Sequence, residues 1–107
     1  MKLPDNIEGL IRAQNKADST AFAAYFTNLA TVFDVGSSYS GQVEIQQWIQ
    51  HASEKYQMQL KPVDFNQTGS TAELTVAVSG TFPGSPAVMQ YHLELDGAFI
   101  RSLRISG

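Results

Sequence analysis

A carboxylate inside an apolar segment is the residue of this chain best suited to chemistry. Asp34 lies between Phe33 and Val35, ahead of a small polar run that ends at Gly41. Strand alternation places Val32 and Asp34 on one face and Phe33 and Val35 on the other. Burying an unpaired carboxylate is costly, so an acid here needs a specific role. Two interpretations stay open: Asp34 is a pocket acid that meets a ligand or takes a proton, or it caps the turn at Gly36.

Four further side chains are candidate ligand contacts around that acid. They are aromatic or thioether groups, the kind that line small-molecule cavities: Tyr39, Trp48, Met89 and Tyr91. For Tyr39, Trp48 and Tyr91, packing in the core is the alternative interpretation. We expect Asp34 to face the interior, within reach of a cavity lined by some of these four.

Several other chemistries are disfavoured by the residues present. The chain has no cysteine, and its two histidines, His51 and His92, lack metal-ligand spacing. We therefore expect no metal site and no cofactor. Ser37, Ser38 and Ser40 have no nearby histidine, so a serine nucleophile is poorly supported.

Charge and hydropathy patterns limit the possible partners. The net charge is −3 and no cluster of Lys or Arg occurs, so neither nucleic acid nor an anionic membrane is an expected partner. The first ten residues contain no long apolar run, which predicts neither a signal peptide nor a membrane-spanning helix. The expected compartment is the cytoplasm.

Helical periodicity fills the first half of the chain. A first helix is predicted from Pro4 to Lys16, and a second, capped by Asp18 or Ser19, carries the apolar face Phe22, Tyr25, Phe26 and Leu29. A short strand from Ala30 then carries Asp34. The third helix is opened by Gly41, with Glu44 placed to reach back to its start. Its apolar positions lie three and four residues apart: Ile45, Trp48, Ile49, Ala52 and Tyr56.

After Tyr56 the apolar period changes to two, which predicts about four long strands. They span 58–66, 71–82, 87–95 and 98–106, with Pro62 marking an edge or a bulge in the first. Asp96-Gly97 is typical of a hairpin, and the spacing from Ile100 to Leu103 predicts a bulge. A chain of 107 residues in this order is one α+β domain.

This order resembles the nuclear transport factor 2-like superfamily, and within it the bacterial polyketide-cyclase-like and ketosteroid-isomerase-like (SnoaL-like) group. The resemblance rests on 39–41, Ile45, Trp48, 96–100 and Leu103. It implies a single domain over 1–107: a cone-shaped, curved, mostly antiparallel sheet wrapped around the long third helix, with two further N-terminal helices. Many members pair through the outer face of the sheet. Together with the low charge fraction and the small residues Thr75, Ala77 and Ser79, this predicts a homodimer.

The isomerase comparison can be made residue by residue. The family's general base lies in a Thr-Val-x-Asp segment, which residues 31–34 match, with Asp34 as the base. The family's oxyanion tyrosine falls near Leu10, which cannot donate a hydrogen bond, and its second acid falls near Tyr91, which can. The polyketide cyclases place an acid and a histidine on later strands, where His92 and Glu94 occur here.

Three functional hypotheses follow. The favoured one is a small-molecule pocket protein that binds an apolar or aromatic compound, because the isomerase set is incomplete. The second is an isomerase or cyclase that uses Asp34 as general base on a carbonyl compound. The third is a protein-interaction module that uses the exposed sheet. The environment of Asp34 separates the first two, since a buried acid facing a cavity favours chemistry and a solvated cap does not.

Overall fold

A computed structural model describes residues 2–34 and 36–107. The elements follow in the order α1 (Asp5–Asn15), α2 (Ser19–Ala24), β1 (Phe26–Asp34), β2 (Ser37–Ser40), α3 (Gly41–Tyr56), β3 (Gln59–Thr68), β4 (Thr71–Ser79), β5 (Ala87–Asp96) and β6 (Phe99–Ser106). The strands form one sheet in the order β2-β1-β6-β5-β4-β3. Strands β1 and β6 are parallel and the other neighbours are antiparallel. The sheet is mixed and not closed, and the predicted α+β fold of the cone type is confirmed.

The second helix is shorter than its apolar pattern predicted. Asp18 caps it by accepting a hydrogen bond from the backbone of Ala21 at 3.1 Å, as expected. The helix ends at Ala24, however, so the predicted helical face through Phe26 and Leu29 is wrong. Phe26 opens β1 and pairs with β6, while Leu29 is 91% exposed. Phe26 pairs with Ile100 of β6, and its carbonyl accepts a hydrogen bond from Gln42 Nε2 at 2.7 Å. These tertiary contacts outweigh a local periodicity of four positions.

The polar segment before α3 is also a strand rather than only a turn. Ser37–Ser40 pairs antiparallel with β1, with Asp34 opposite Ser37 and Thr31 opposite Ser40. Gly36 has a positive φ of 76°, a conformation that glycine adopts without steric cost. The predicted placement of Val35 lies outside the described residues. This hairpin holds the end of β1, and therefore Asp34, against the middle of α3.

The third helix begins and packs as predicted. The Glu44 carboxylate accepts a hydrogen bond from the Ser40 backbone at 3.0 Å, which satisfies one donor at the helix start. Ile45, Trp48 and Ile49 are buried against the sheet. The predicted stripe therefore faces the inner side of the cone and brings Trp48 toward the end of β1.

The long strands follow the predicted pattern with one correction. The bulges predicted near Pro62 and between Ile100 and Leu103 are both present as register shifts, in β3 and β6 respectively. Strand β4 ends at Ser79 rather than at Phe82. The chain turns away there because the Thr81 backbone donates a 2.7 Å hydrogen bond to the Tyr56 carbonyl at the end of α3. The turn carries Phe82 to the rim of the inner face.

Alternation along β4 and β5 separates a buried face from an outer face. The inner positions supply much of the core: Ala72, Leu74, Val76, Val78, Tyr91, Leu93 and Leu95. The outer positions of β4 are small or polar and partly or fully exposed: Thr71, Glu73, Thr75, Ala77 and Ser79. This is the surface on which the homodimer was predicted, and pairing of two copies stays a prediction.

A charge placed on this outer face should test the homodimer. We propose that wild-type protein sediments as a dimer at micromolar concentration and that Ala77→Arg shifts it toward monomer, because an unpaired buried charge at an interface is costly. Val43→Arg is the matched control, since Val43 is 70% exposed on α3, away from the sheet. A wild-type monomer, or equal dissociation in both variants, would count against pairing through this face.

Candidate functional site

A cavity lies between the inner face of the sheet and the helices α1 and α3, with a volume of about 390 Å³. Most of its wall is apolar or aromatic, and one amide, one carboxyl and two phenolic hydroxyl groups interrupt that wall. The lining residues are Gln14, Asp34, Trp48, Ala52, Tyr56, Met58, Val78, Phe82, Pro83, Met89, Tyr91 and Ile105. Such a mixture of apolar wall and few polar groups is typical of small-molecule sites.

Asp34 is the one acidic residue in the cavity lining. Its Oδ2 accepts a hydrogen bond from the Trp48 indole Nε1 at 3.3 Å. Burial raises the pKa of the Asp34 carboxyl above its ordinary value, and the indole hydrogen bond opposes that rise in part. Within 2–34 and 36–107, no salt bridge pairs the carboxylate with a cation and no backbone of the turn at Gly36 donates to it. The geometry is that of a half-buried acid facing a cavity.

Tyr91 and Gln14 form a buried polar pair in the same wall. The Tyr91 hydroxyl donates a hydrogen bond to Gln14 Oε1 at 3.0 Å. Desolvation raises the pKa of the Tyr91 hydroxyl; the hydrogen bond to Gln14 works against this rise, and the nearby charge of Asp34 adds to it. Tyr91 therefore keeps its proton at neutral pH and acts as a fixed donor.

Sequence reasoning missed Gln14, although a signal for it was present. Gln14 follows Ile7, Leu10 and Ile11 at helical spacing, so it occupies the next position on the buried face of α1. A polar residue on an apolar stripe needs a hydrogen-bond partner, and this one is only 5% exposed. Leu10, where the family comparison places a tyrosine, is fully buried.

The four predicted ligand contacts divide into two groups. Trp48, Met89 and Tyr91 line the cavity together with Asp34. Tyr39 lies outside it, stacked on Trp48 with ring centroids 5.7 Å apart. Tyr39 instead lines a depression at the cavity mouth. Tyr39 could therefore contact a ligand only at the entrance of the cavity, and its ring packs against the Trp48 indole.

The two histidines and Glu94 lie away from the cavity. His92 faces the outer side of the sheet, where its ring nitrogens contact Glu73 at 3.1 Å and Ser106 at 3.0 Å. Glu94 is on the same outer side, hydrogen-bonded to Thr71. His51 lines the mouth depression and is exposed. The histidine and acid that the cyclase comparison placed on late strands therefore do not join Asp34.

The described residues offer neither a metal-binding cluster nor a helix that could span a membrane. Within 2–34 and 36–107, no group of three or more His, Asp or Glu side chains is arranged to hold a metal ion. Over the same ranges, no helix combines the length and the apolarity that crossing a bilayer needs.

Comparison with known structures identifies the class of fold. A candidate polyketide cyclase from Sinorhizobium meliloti superimposes with a TM-score of 0.92 at 30% identity, covering 97% of this chain and 95% of that one. A ketosteroid isomerase-like protein from Catenulispora acidiphila, in complex with trimethylamine, gives 0.89 at 17% identity, with 99% and 87% covered. An NTF2-like protein of unknown function from Cytophaga hutchinsonii gives 0.79 at 15% identity, with 99% and 93% covered. No protein-family model matches the chain, and no curated protein does.

The fold and the cavity on the inner face of the sheet define a cone-shaped α+β protein of the ketosteroid isomerase-like and polyketide cyclase-like kind. The chain belongs to the nuclear transport factor 2-like superfamily.

Replacing Asp34 by asparagine should remove a loss of stability that the wild-type protein undergoes as pH rises above about 3.9. The pKa of Asp34 is raised in the folded state, so the protonated carboxyl favours folding. This stabilising contribution is fully present below the unfolded pKa of about 3.9 and is lost as pH rises through the folded pKa. Asp34→Asn should therefore be as stable as wild type or more stable at pH 7. Urea unfolding from pH 3 to 7, with carboxyl titration by NMR, measures both quantities. An Asp34 pKa below about 3.5 would overturn this expectation.

Proposed function

We propose that this protein binds a small apolar or aromatic molecule in the cavity between the sheet, α1 and α3. The observation that carries the proposal is the composition of the wall, where aromatic and thioether side chains surround one half-buried carboxyl group. Trp48, Met89 and Tyr91 are the proposed ligand contacts, and Asp34 meets the polar part of the ligand. Tyr39 contributes at the mouth through its contact with the indole.

The dimensions and charge of the cavity support this class of ligand. A volume of about 390 Å³ lies within the range of small-molecule sites. Its lining contains Asp34 and no Lys, Arg or His, so a ligand carrying a negative charge would be repelled. The ketosteroid isomerase-like protein from Catenulispora acidiphila, which has a similar fold, is in complex with trimethylamine, a small methylated amine.

The intrinsic fluorescence of Trp48 gives a direct binding test. Trp48 is the only tryptophan of the chain and lines the cavity, so its emission should change as a ligand enters. With the bicyclic ketone 2-tetralone as the probe, we expect a saturable change with a dissociation constant in the micromolar to millimolar range.

Filling the cavity provides the matched control for that titration. Ala52→Leu places extra volume in the wall and should weaken probe binding at least about tenfold, whereas Ala24→Leu adds the same volume on an exposed position of α2 and should not. A linear, unsaturable response of the wild-type protein, or equal affinity in all three proteins, would contradict binding in this cavity.

A second function is favoured by the environment of Asp34 alone. A carboxylate whose pKa is raised by burial is a stronger base than one in water, and it lies beside a space that can hold a substrate. Asp34 would take a proton from the carbon next to a carbonyl. The C–H electron pair then forms the C=C bond of an enolate, and the carbonyl π pair moves to oxygen. Where the substrate carries a C=C bond one position further along, this enolate is a dienolate, and return of the proton to its far carbon moves the double bond into conjugation with the re-formed carbonyl, which completes an isomerisation.

A further inference from the structure

Aromatic side chains from three parts of the fold line the cavity that holds Asp34. Trp48 and Tyr56 come from α3, Phe82 from the turn after β4, and Tyr91 from β5. The rings of Tyr56 and Phe82 meet edge to face, with their centroids 6.1 Å apart. An aromatic ring carries partial negative charge on its face, and that face attracts a cation. The wall is therefore apolar and at the same time favourable to positive charge.

The Asp34 carboxylate has no positive partner in the described part of the chain. Its side-chain hydrogen bond comes from the neutral Trp48 indole at 3.3 Å, and none of the salt bridges among 2–34 and 36–107 includes it. The described lining of the cavity contains no Lys, Arg or His. A half-buried carboxylate without a counter-charge is costly to ionise, and burial accordingly raises its pKa. A positively charged ligand would supply the partner.

The acceptors in the cavity wall limit how many N–H groups such a cation can carry. Gln14 Oε1 already accepts from the Tyr91 hydroxyl at 3.0 Å, and Asp34 Oδ2 accepts from the indole. A primary ammonium ion has three N–H donors and would need several further acceptors from a mainly apolar wall. A nitrogen that carries three or four carbon substituents has one N–H or none, and it presents carbon to the rings.

We infer that the ligand of this cavity is an organic cation with a tertiary or quaternary ammonium group, which pairs with Asp34 while the rings of Trp48, Tyr56 and Phe82 contact its alkyl groups. This inference rests on the proposed function, because it names the class of molecule that the cavity takes. Aromatic cages recognise alkylated ammonium ions in this way, since each ring face attracts the charge and packs against the alkyl groups. The rest of the molecule occupies the apolar wall near Met89.

Other charges lie around the cavity but not in it. The charged or titratable side chains that share a depression with Asp34 are Glu44, His51 and Lys55 at the mouth, and Arg104 on the outer side. Lys55 Nζ lies 5.1 Å from the centroid of the Tyr56 ring, so this ring already attracts a cation at the mouth. Inside the cavity, the charge that a ligand meets is that of Asp34.

Two probes of equal shape isolate the effect of the positive charge. The neutral probe is 4-tert-butylbenzyl alcohol, and the cationic probe is its trimethylammonium analogue, in which N⁺ replaces the quaternary carbon. The cationic probe is charged at every pH. We expect wild-type protein at pH 7 to bind it at least about tenfold more tightly than the neutral probe, although water solvates the cation better. Titration of Trp48 fluorescence, excited where neither probe absorbs, measures both dissociation constants.

Removal of the Asp34 charge should abolish this preference. Asp34→Asn keeps the shape of the wall, so it should weaken binding of the cationic probe at least about tenfold and change binding of the neutral probe less than about threefold. Glu54→Gln is the matched control, since Glu54 is an exposed carboxylate on α3 outside the cavity, and it should keep the wild-type ratio.

Loss of one ring should also weaken binding of the cation selectively. Phe82→Leu keeps an apolar side chain at the rim of the cavity but removes a ring face, so it should weaken binding of the cationic probe about threefold more than that of the neutral probe. Phe99→Leu is the control, because Phe99 is a 52% exposed aromatic residue on β6 outside the cavity. Equal effects of Phe82→Leu on both probes would contradict contact between the rings and the charged group.

A further readout uses wild-type protein alone. The pKa of the Asp34 carboxyl, followed by NMR, should fall when the cationic probe saturates the cavity, because a positive charge beside the carboxylate favours its ionised form. By linkage, affinity for the cationic probe should rise with pH through the pKa of Asp34. Any contribution from titration of His51 at the mouth would persist in Asp34→Asn, so the variant separates the two groups.

The outcomes distinguish this inference from the function on which it rests. Three results overturn the inference and leave the small-molecule site intact: equal or tighter binding of the neutral probe, an Asp34 pKa that does not fall with the cation bound, or binding of 2-tetralone without binding of the cation. Failure of 2-tetralone and both probes to bind wild type overturns the proposed function itself. If Asp34→Asn does not fold, the wild-type ratio and the NMR titration still decide the matter.

Discussion

Replacement of Trp48 by alanine is expected to lower the free energy of unfolding by about 3–5 kcal/mol, the usual cost of truncating a buried aromatic side chain. Trp48 is 8% exposed and lies at the centre of an aromatic group. Its ring centroid is 6.1 Å from that of Phe22 and 5.7 Å from that of Tyr39. Loss of the indole also removes the hydrogen bond to the half-buried Asp34. Since small domains are stable by only about 5–15 kcal/mol, much of the total would be lost.

Urea unfolding followed by circular dichroism at pH 7 measures this loss without relying on tryptophan fluorescence. Phe99→Ala is the control, because Phe99 is an aromatic residue on β6 that is 52% exposed and should cost less than about 1 kcal/mol. Trp48→Phe should recover part of the packing but not the hydrogen bond. A cost below about 1 kcal/mol for Trp48→Ala would show that the indole does not anchor α3 to the sheet.

The second large effect concerns proton transfer at Asp34. If Asp34 acts as a general base, wild-type protein should accelerate exchange of the C1 hydrogens of 2-tetralone for deuterium in D2O, measured by NMR. Asp34→Asn should then reduce that rate by about 10²- to 10⁴-fold, the usual contribution of a positioned base. The same variant should fold as well as wild type at neutral pH, because the pKa of Asp34 is raised and its charge does not favour folding.

Two comparisons make the exchange experiment decisive. Asp5→Asn removes a carboxylate from the exposed first turn of α1 and should leave the exchange rate unchanged. Exchange no faster than in buffer, under conditions where Trp48 fluorescence shows the ketone bound, would leave ligand binding without catalysis. Wild-type acceleration that persists in Asp34→Asn would place the base elsewhere.

Much of the architecture was predictable because it depends on local patterns. The stripe of Ile45, Trp48 and Ile49 at helical spacing, and the alternation of Leu74 and Val76 along β4, each specify an element and its buried face. Local turn chemistry at 96–97 located the last hairpin. These signals lie within a few residues of one another, so a single sequence is enough to interpret them.

Elements that depend on distant partners were not predictable in the same way. The segment from Phe26 to Leu29 has helical spacing, yet it is extended because β1 pairs in parallel with β6, more than seventy positions along the chain, at Phe26 and again from Thr31 onward. The same holds for 37–40, whose strand character comes from pairing with β1. A pattern over four residues carries too little free energy to compete with a sheet ladder.

The sequence by itself determined which groups could do chemistry, and the tertiary structure decided which of them meet. An acid on an apolar strand singled out Asp34, whereas its placement in the cavity required α3 to pack across the end of β1. Gln14 and Tyr91 are 77 residues apart, and no local pattern links them. Their hydrogen bond exists because α1 lies over the inner face of β5, and burial leaves each polar group with the other as its partner. Side chains alternate along that strand, so Tyr91 points into the cavity while His92, the next residue, points to the outer face of the sheet.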